Sequence, residues 1–102
     1  MEVYNKLVRD NIPEIIKGKG ENPITVILKD SDYKMELDKK LLEEVNEYLT
    51  SDNNEEIADI LEVIMAIVEH KQIKFEDIEK IRLEKKAKRG GFKNKIFLKE
   101  VI

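Results

Sequence analysis

One segment, residues 57–68, limits the possible folds of this chain more than any other feature. It reads Ile-Ala-Asp-Ile-Leu-Glu-Val-Ile-Met-Ala-Ile-Val and is apolar at almost every position. A helix with this sequence carries apolar side chains on nearly every face, so neighbouring elements have to cover it on several sides. A chain of 102 residues has few elements that provide such cover. We therefore expect a second copy of the chain to complete the packing.

Helical patterns lie on both sides of this segment. Before it, apolar residues recur at spacings of four, four and three from Leu37 to Tyr48, which predicts an amphipathic helix with Asp32 as its N-cap. The polar run 51–54 ends that helix, and residues 90–91, both glycine, end a later one. The predicted helices cover about residues 32–49, residues from Asn54 through 68, and about 75–88, with a short helix near Pro13.

Two short segments have the composition of strands. Residues 24–28 read Ile-Thr-Val-Ile-Leu, and residues 95–101 read Lys-Ile-Phe-Leu-Lys-Glu-Val. We expect the two to pair as a small β-hairpin. Helix dominates elsewhere, so the sequence predicts a single domain over residues 1–102 of mainly α class. Its expected architecture is an antiparallel helical bundle that is completed by dimerisation.

The composition excludes several classes of site. With no cysteine, the chain has no disulfide, no zinc-thiolate site, no iron–sulfur cluster and no thiol nucleophile. A single histidine excludes a His-rich metal site. The chain starts with no basic and apolar leader, and it contains no apolar run long enough to span a bilayer, so we expect a soluble, cytoplasmic protein without a membrane partner.

Charge is distributed unevenly along the chain. The net charge of −3 conceals −9 over residues 30–62 and +7 over residues 80–102. Such a distribution favours a site where carboxylates gather cations and basic side chains gather phosphates. The alternative is a solvated acidic helix followed by a solvated basic one.

The most informative acids form two pairs on consecutive predicted helices. Glu44 and Glu47 are three residues apart, as are Glu56 and Asp59, and Glu43 precedes the first pair. Side chains at this spacing lie on neighbouring turns of a helix, so the two carboxylates of each pair can bind the same ion. A short connection between the helices brings the two pairs face to face.

The second pair emerges from apolar surface. In a helical projection Glu56 falls between Ile60 and Val63, and Asp59 lies on the other side of Val63. Buried carboxylates have to be protonated, paired with basic groups or bound to metal. With no basic residue expected nearby, we favour metal, and oxygen-only ligands suit Mg²⁺ or Mn²⁺. The alternative is that Lys and Arg of the third helix neutralise these acids.

Basic residues complete this chemistry. They lie near the end of the third helix and in the segment before Pro13, and magnesium with Lys or Arg at hand suits a polyphosphate. Nucleic acid is the rival partner, but Phe92 is the one aromatic residue close to the basic stretch, so base stacking has little support. The basic residues are Lys6, Arg9, Lys80, Arg82, Lys85, Lys86, Lys88 and Arg89.

These motifs resemble the all-α nucleoside triphosphate pyrophosphatases, the superfamily that contains MazG proteins, dimeric dUTPases and phosphoribosyl-ATP pyrophosphohydrolase. The mark of that superfamily is Glu-Glu-x-x-Glu followed by Glu-x-x-Asp on the next helix. Residues 43–47 and 56–59 carry both parts. The opening Asn-Lys-Leu-Val-Arg-Asp-Asn-Ile-Pro-Glu-Ile-Ile of residues 5–16 looks like that of a small MazG-like subgroup, as do residues 58–64 and 88–92.

The resemblance implies a Mg²⁺-dependent hydrolase that cleaves nucleoside triphosphates between the α and β phosphates in house-cleaning of nucleotides, and that forms a dimer or tetramer. The second hypothesis is a non-catalytic helical module that binds nucleotide or another partner. By the resemblance, Glu44, Glu47, Glu56 and Asp59 hold Mg²⁺, Glu43 assists or orients water, and the candidates for the phosphates are Lys6, Arg9, Lys85, Lys88 and Arg89.

Overall fold

A computed structural model describes residues 2–102 and is built from helices. About 60% of the chain is helical, and residues 2–102 contain no strand, so the predicted mainly α fold is confirmed. The helices are α1 (Ile12–Gly18), α2 (Asp30–Ser51), α3 (Asn54–His70) and α4 (Phe75–Arg89). None of them is long and apolar enough to cross a membrane.

Helices α2 and α3 form an antiparallel hairpin because the chain reverses within two residues. Asp52 adopts the left-handed conformation (φ 53°, ψ 36°), and its N–H donates to the carbonyl of Tyr48. Aspartate tolerates this conformation better than most residues. Asn53 then caps α3 by accepting a hydrogen bond from the Glu55 N–H at 2.9 Å. The tight turn fixes which residues of the two helices face each other.

The start of α2 differs from the prediction. Asp32 lies in the first turn rather than at the N-cap, because the helix begins at Asp30 after Lys29, and the Lys29 side chain makes no capping hydrogen bond. Asp30 and Asp32 both stand in the first turn, where the helix dipole favours negative charge. The dipole therefore supports the earlier start.

Apolar packing within the chain is concentrated between α2 and α3. Among residues 2–102, the buried apolar side chains are Leu37, Val63 and Val68. At the end of the hairpin away from the turn, the rings of Tyr33 and His70 meet edge to face, with their centroids 5.3 Å apart. No other pair of helices in residues 2–102 forms an interface of comparable extent. The hairpin is therefore the element that positions any site.

One edge of α3 is not covered. Ile57, Leu61 and Met65 are 45, 51 and 41% exposed although they lie four residues apart on an apolar helix. Within one chain, the hairpin provides only part of the cover that residues 57–68 require. The second copy expected from the sequence stays a prediction, and the uncovered edge gives it a location.

The expected β-hairpin does not form within the chain. Residues 24–28 and 95–101 have no regular secondary structure, and Ile24, Ile27 and Phe97 are almost fully exposed. A strand needs both a partner edge and an apolar surface to pack against. Apart from the half-buried Leu28, the apolar side chains of both segments are exposed, so strand propensity alone does not pair them.

Candidate metal centre

Three of the predicted acids come together where α2 and α3 face each other near the turn. Each of Glu44, Glu56 and Asp59 places a carboxylate oxygen so that the three oxygens lie within 4.8 Å of one another. Glu44 comes from α2, Glu56 from the first turn of α3 and Asp59 from the following turn. We call these three residues the acidic triad.

Glu44 is the unusual member of the triad. It is only 6% exposed, and its Oε2 atom is buried without a hydrogen-bond partner. Burial raises the pKa of the Glu44 carboxyl, the ion pair with Lys40 opposes this shift, and the charges of Glu47 and Asp59 add to it. An unpartnered carboxylate oxygen in the interior is costly unless a proton or a cation joins it.

Glu56 has a similar environment. Its Oε2 atom is also buried without a partner. Loss of solvent raises the pKa of this carboxyl, and the negative charges of Glu47, Asp59 and Glu44 together with a hydrogen bond to Glu47 raise the pKa further. The triad therefore contains two buried carboxylate oxygens without a hydrogen-bond partner, one on α2 and one on α3. A hard divalent cation fits this donor set because it takes several carboxylate oxygens at once.

Basic side chains stand beside the acids, contrary to the expectation that none would. Lys40 Nζ lies 3.2 Å from Glu44 Oε1 and 3.4 Å from Glu43 Oε1. Burial alone would lower the pKa of Lys40, but its hydrogen bond to Glu44 and the charges of Glu43 and Glu44 raise the pKa above its ordinary value. The sequence did contain the signal, since Lys40 precedes Glu44 by one helical turn.

Two further cations come from the segment that precedes α1. Arg9 Nη2 donates to Asp59 Oδ1 at 2.8 Å, and Lys6 Nζ donates to Glu43 Oε1 at 3.3 Å. The sequence predicts a phosphate role for both residues and gives no sign that they lie beside the acids. The third helix predicted from the sequence, over residues 75–88, is α4. The alternative that it supplies the neutralising cations is wrong for residues 2–102, in which no ion pair links α4 to the triad.

The remaining predicted residues lie outside the triad. Glu47 is exposed and borders, with Glu56, an open groove with a volume of about 650 Å³. Lys85, Lys88 and Arg89 are exposed on α4 and take part in no ion pair within residues 2–102. The fold of one chain therefore brings Glu44, Glu56 and Asp59 together with Glu47 beside Glu56, and it leaves the predicted phosphate role of the α4 cations without a contact. The groove is lined by Lys39, Leu42, Glu43, Asn46, Glu47, Thr50, Ser51 and Glu56.

Comparison with known proteins adds one relative. No protein-family model matches the chain, and no solved structure matches it. An uncharacterized protein of Mycolicibacterium smegmatis is 44% identical over 50 residues, which are 49% of this chain and 51% of the relative. The chain thus spans about half the length of the curated relative that it matches.

The first prediction tests the triad as a cation site. At a Mg²⁺ concentration ten times its Kd, binding to the folded state stabilises the protein by about 1.4 kcal/mol. The midpoint of thermal unfolding, Tm, is then expected to rise by roughly 5 to 10 °C. Glu44→Gln should lose most of this gain, because the buried oxygen no longer carries charge. Differential scanning fluorimetry with and without MgCl₂ measures both.

Glu62→Gln is the matched control because Glu62 is exposed on α3 and outside the triad. This control should keep the full Mg²⁺-dependent shift. An equal shift in the wild type and in Glu44→Gln would show that Mg²⁺ binds elsewhere.

Proposed function

We propose that this chain is a Mg²⁺-dependent nucleoside triphosphate pyrophosphohydrolase, which gives a nucleoside monophosphate and pyrophosphate. The observation that supports it best is the buried Glu44, whose unpartnered oxygen belongs to a triad with Glu56 and Asp59. The triad combines acids from both parts of the motif that resembles the all-α pyrophosphatases. A cluster of this kind is suited to a substrate that brings phosphates with its metal.

In this proposal, Glu44, Glu56 and Asp59 hold the divalent cation, with Glu47 beside them at the groove. A divalent cation, Mg²⁺ or Mn²⁺, supplies neutralisation of the polyphosphate charge and a lower pKa for water. Glu43 orients the water whose oxygen forms the new bond to the α phosphorus. The bond from that phosphorus to the bridging oxygen breaks, pyrophosphate leaves with the electron pair, and the proton lost by the water passes to solvent.

The proposal assigns the phosphates to basic groups. Lys6 and Arg9 already lie beside the acids. Each would replace its hydrogen bond to a carboxylate by a hydrogen bond to a phosphate oxygen of the substrate. The α4 cations Lys85, Lys88 and Arg89 are the other candidates. The proposed place of action is the cytoplasm, where nucleoside triphosphates are the abundant polyphosphates.

Homodimerisation is part of the proposal. The uncovered edge formed by Ile57, Leu61 and Met65 lies on α3, the same helix that carries Glu56 and Asp59. A second copy is the occupant that fits, because the sequence of α3 already requires cover that one chain does not supply. The dimer contact would then fix the helix on which the triad stands.

One observation favours the alternative of a non-catalytic binding module. Lys40 and Arg9 pair with Glu44 and Asp59, so cations of the chain itself neutralise part of the acidic charge. A site stabilised in this way could bind nucleotide without turning it over. Such a module predicts nucleotide binding with no pyrophosphate release.

The experiment that separates the two functions is a substrate panel. The chain is incubated with each common and modified nucleoside triphosphate in MgCl₂, and pyrophosphate release is measured. We expect turnover of at least one substrate, abolished by EDTA and restored by excess Mg²⁺. Binding of nucleotide without any product would favour the non-catalytic module, and inactivity without binding would contradict both.

A further inference from the structure

The segment that precedes α1 reaches the acidic face of the hairpin. We call residues 2–11 the N-terminal arm. Within it, Lys6 pairs with Glu43 and Arg9 pairs with Asp59, across 37 and 50 residues of sequence. Among residues 2–102, these two ion pairs are the hydrogen bonds that join the arm to α2 and α3. The arm therefore contacts the same group of acids that forms the candidate metal centre.

Little else fixes the arm in this position. It has no regular secondary structure, and of its apolar side chains Val3, Tyr4 and Val8 are exposed while Leu7 alone is half-buried. The side chains of Lys6 and Arg9 are themselves about half exposed. Ion pairs in such surroundings are weak and screened by salt. The position of the arm thus depends mainly on the negative charge of the carboxylates.

A divalent cation at the triad would change that charge. Asp59 belongs to the triad and also accepts the hydrogen bond from Arg9. A cation bound among the three carboxylates takes up the charge that attracts the guanidinium and repels it at short range. Lys40 stays near Glu44 because both residues stand on α2, whereas the arm is free to leave.

We propose that the N-terminal arm is a releasable counter-ion for the acidic triad. In the metal-free protein, Arg9 and Lys6 neutralise Asp59 and Glu43, and binding of a divalent cation releases both side chains for the phosphates of a substrate. This proposal rests on the proposed metal site. Because coupling between two binding events is reciprocal, the arm also weakens the affinity of the triad for the cation.

The first measurement is metal affinity. Lys6→Gln/Arg9→Gln removes both arm cations, and Lys17→Gln/Lys19→Gln removes the same charge from exposed positions of α1 and its C-cap. Free Mn²⁺ is followed by electron paramagnetic resonance during a titration with MnCl₂. We expect the arm variant to bind Mn²⁺ about 2- to 10-fold more tightly than the wild type, since two surface pairs are lost. The control should change the Kd much less.

The second measurement is the motion of the arm. The chain has no cysteine, so Val3→Cys gives a single position for a thiol-reactive fluorophore. Adding MgCl₂ should lower the steady-state anisotropy of this label. In the Asp59→Asn background, Arg9 has lost its partner while Lys6 keeps Glu43, so the anisotropy should start lower than in the wild type and respond less to MgCl₂.

The outcomes separate this proposal from the one on which it rests. If the wild type binds no Mn²⁺, the metal site and the releasable arm are both wrong. If it binds Mn²⁺, but the arm variant and its control have equal affinities and the label does not respond to MgCl₂, only the releasable arm is wrong.

Discussion

Asp59→Asn and Glu56→Gln are expected to lower Mg²⁺-dependent pyrophosphate release by about 100- to 1,000-fold, the loss typical when one preorganised polar group is removed from a catalytic site. Each substitution keeps the size of the side chain and removes one negative charge from the triad. Both residues stand near the start of α3 and expose part of their surface, so the fold should tolerate the change. The measurement is kcat with the best substrate of the panel at saturating MgCl₂.

The matched controls are Glu62→Gln and Glu69→Gln, which remove the same charge from exposed positions of the same helix. They should retain activity within about twofold, because exposed charges at a distance are screened. Far-ultraviolet circular dichroism establishes that each variant is folded. Activity that survives in both Asp59→Asn and Glu56→Gln would refute a catalytic role for the triad.

The hairpin and its acids could be predicted from sequence because both depend on local patterns. Helical spacing places Glu56 and Asp59 beside Val63, and the polar run 51–54 requires a turn at that point. Once the turn is short, Glu44 has to face the start of α3. Helical periodicity and the length of the loop are therefore enough to predict that Glu44 faces Glu56 and Asp59.

The neutralising cations could not be predicted in the same way. The pair between Arg9 and Asp59 spans 50 residues, and no pattern in the sequence connects an unstructured arm to a helix at that distance. Lys40 is different, because its spacing of four from Glu44 is a recognisable signal. The expectation that the acids have no basic neighbours is therefore wrong at a position where the helical spacing already indicated one.

The strand prediction was limited by tertiary context. Residues 24–28 have strong strand propensity, but propensity reflects packing on a sheet surface more than an intrinsic preference of the backbone. In one chain that surface is missing, and Ile24 and Ile27 remain exposed. The same reasoning applies to the exposed edge of α3. The helix was predicted correctly, but its sequence does not determine which surface covers that edge.

Leu61→Asp is expected to raise the dissociation constant of the homodimer by at least about 100-fold, because a carboxylate buried in an apolar interface costs several kcal/mol. Leu61 lies between Ile57 and Met65 on the uncovered edge of α3 and is half-exposed in one chain, so the fold of the single chain should lose little. Glu62→Asp, at the next position, controls for the poor helix propensity of aspartate. Sedimentation equilibrium should give the wild type and the control about twice the chain mass of 12.0 kDa, and Leu61→Asp the mass of one chain. A wild type that sediments as a single chain, or an unchanged mass for Leu61→Asp, would exclude this edge as the dimer contact.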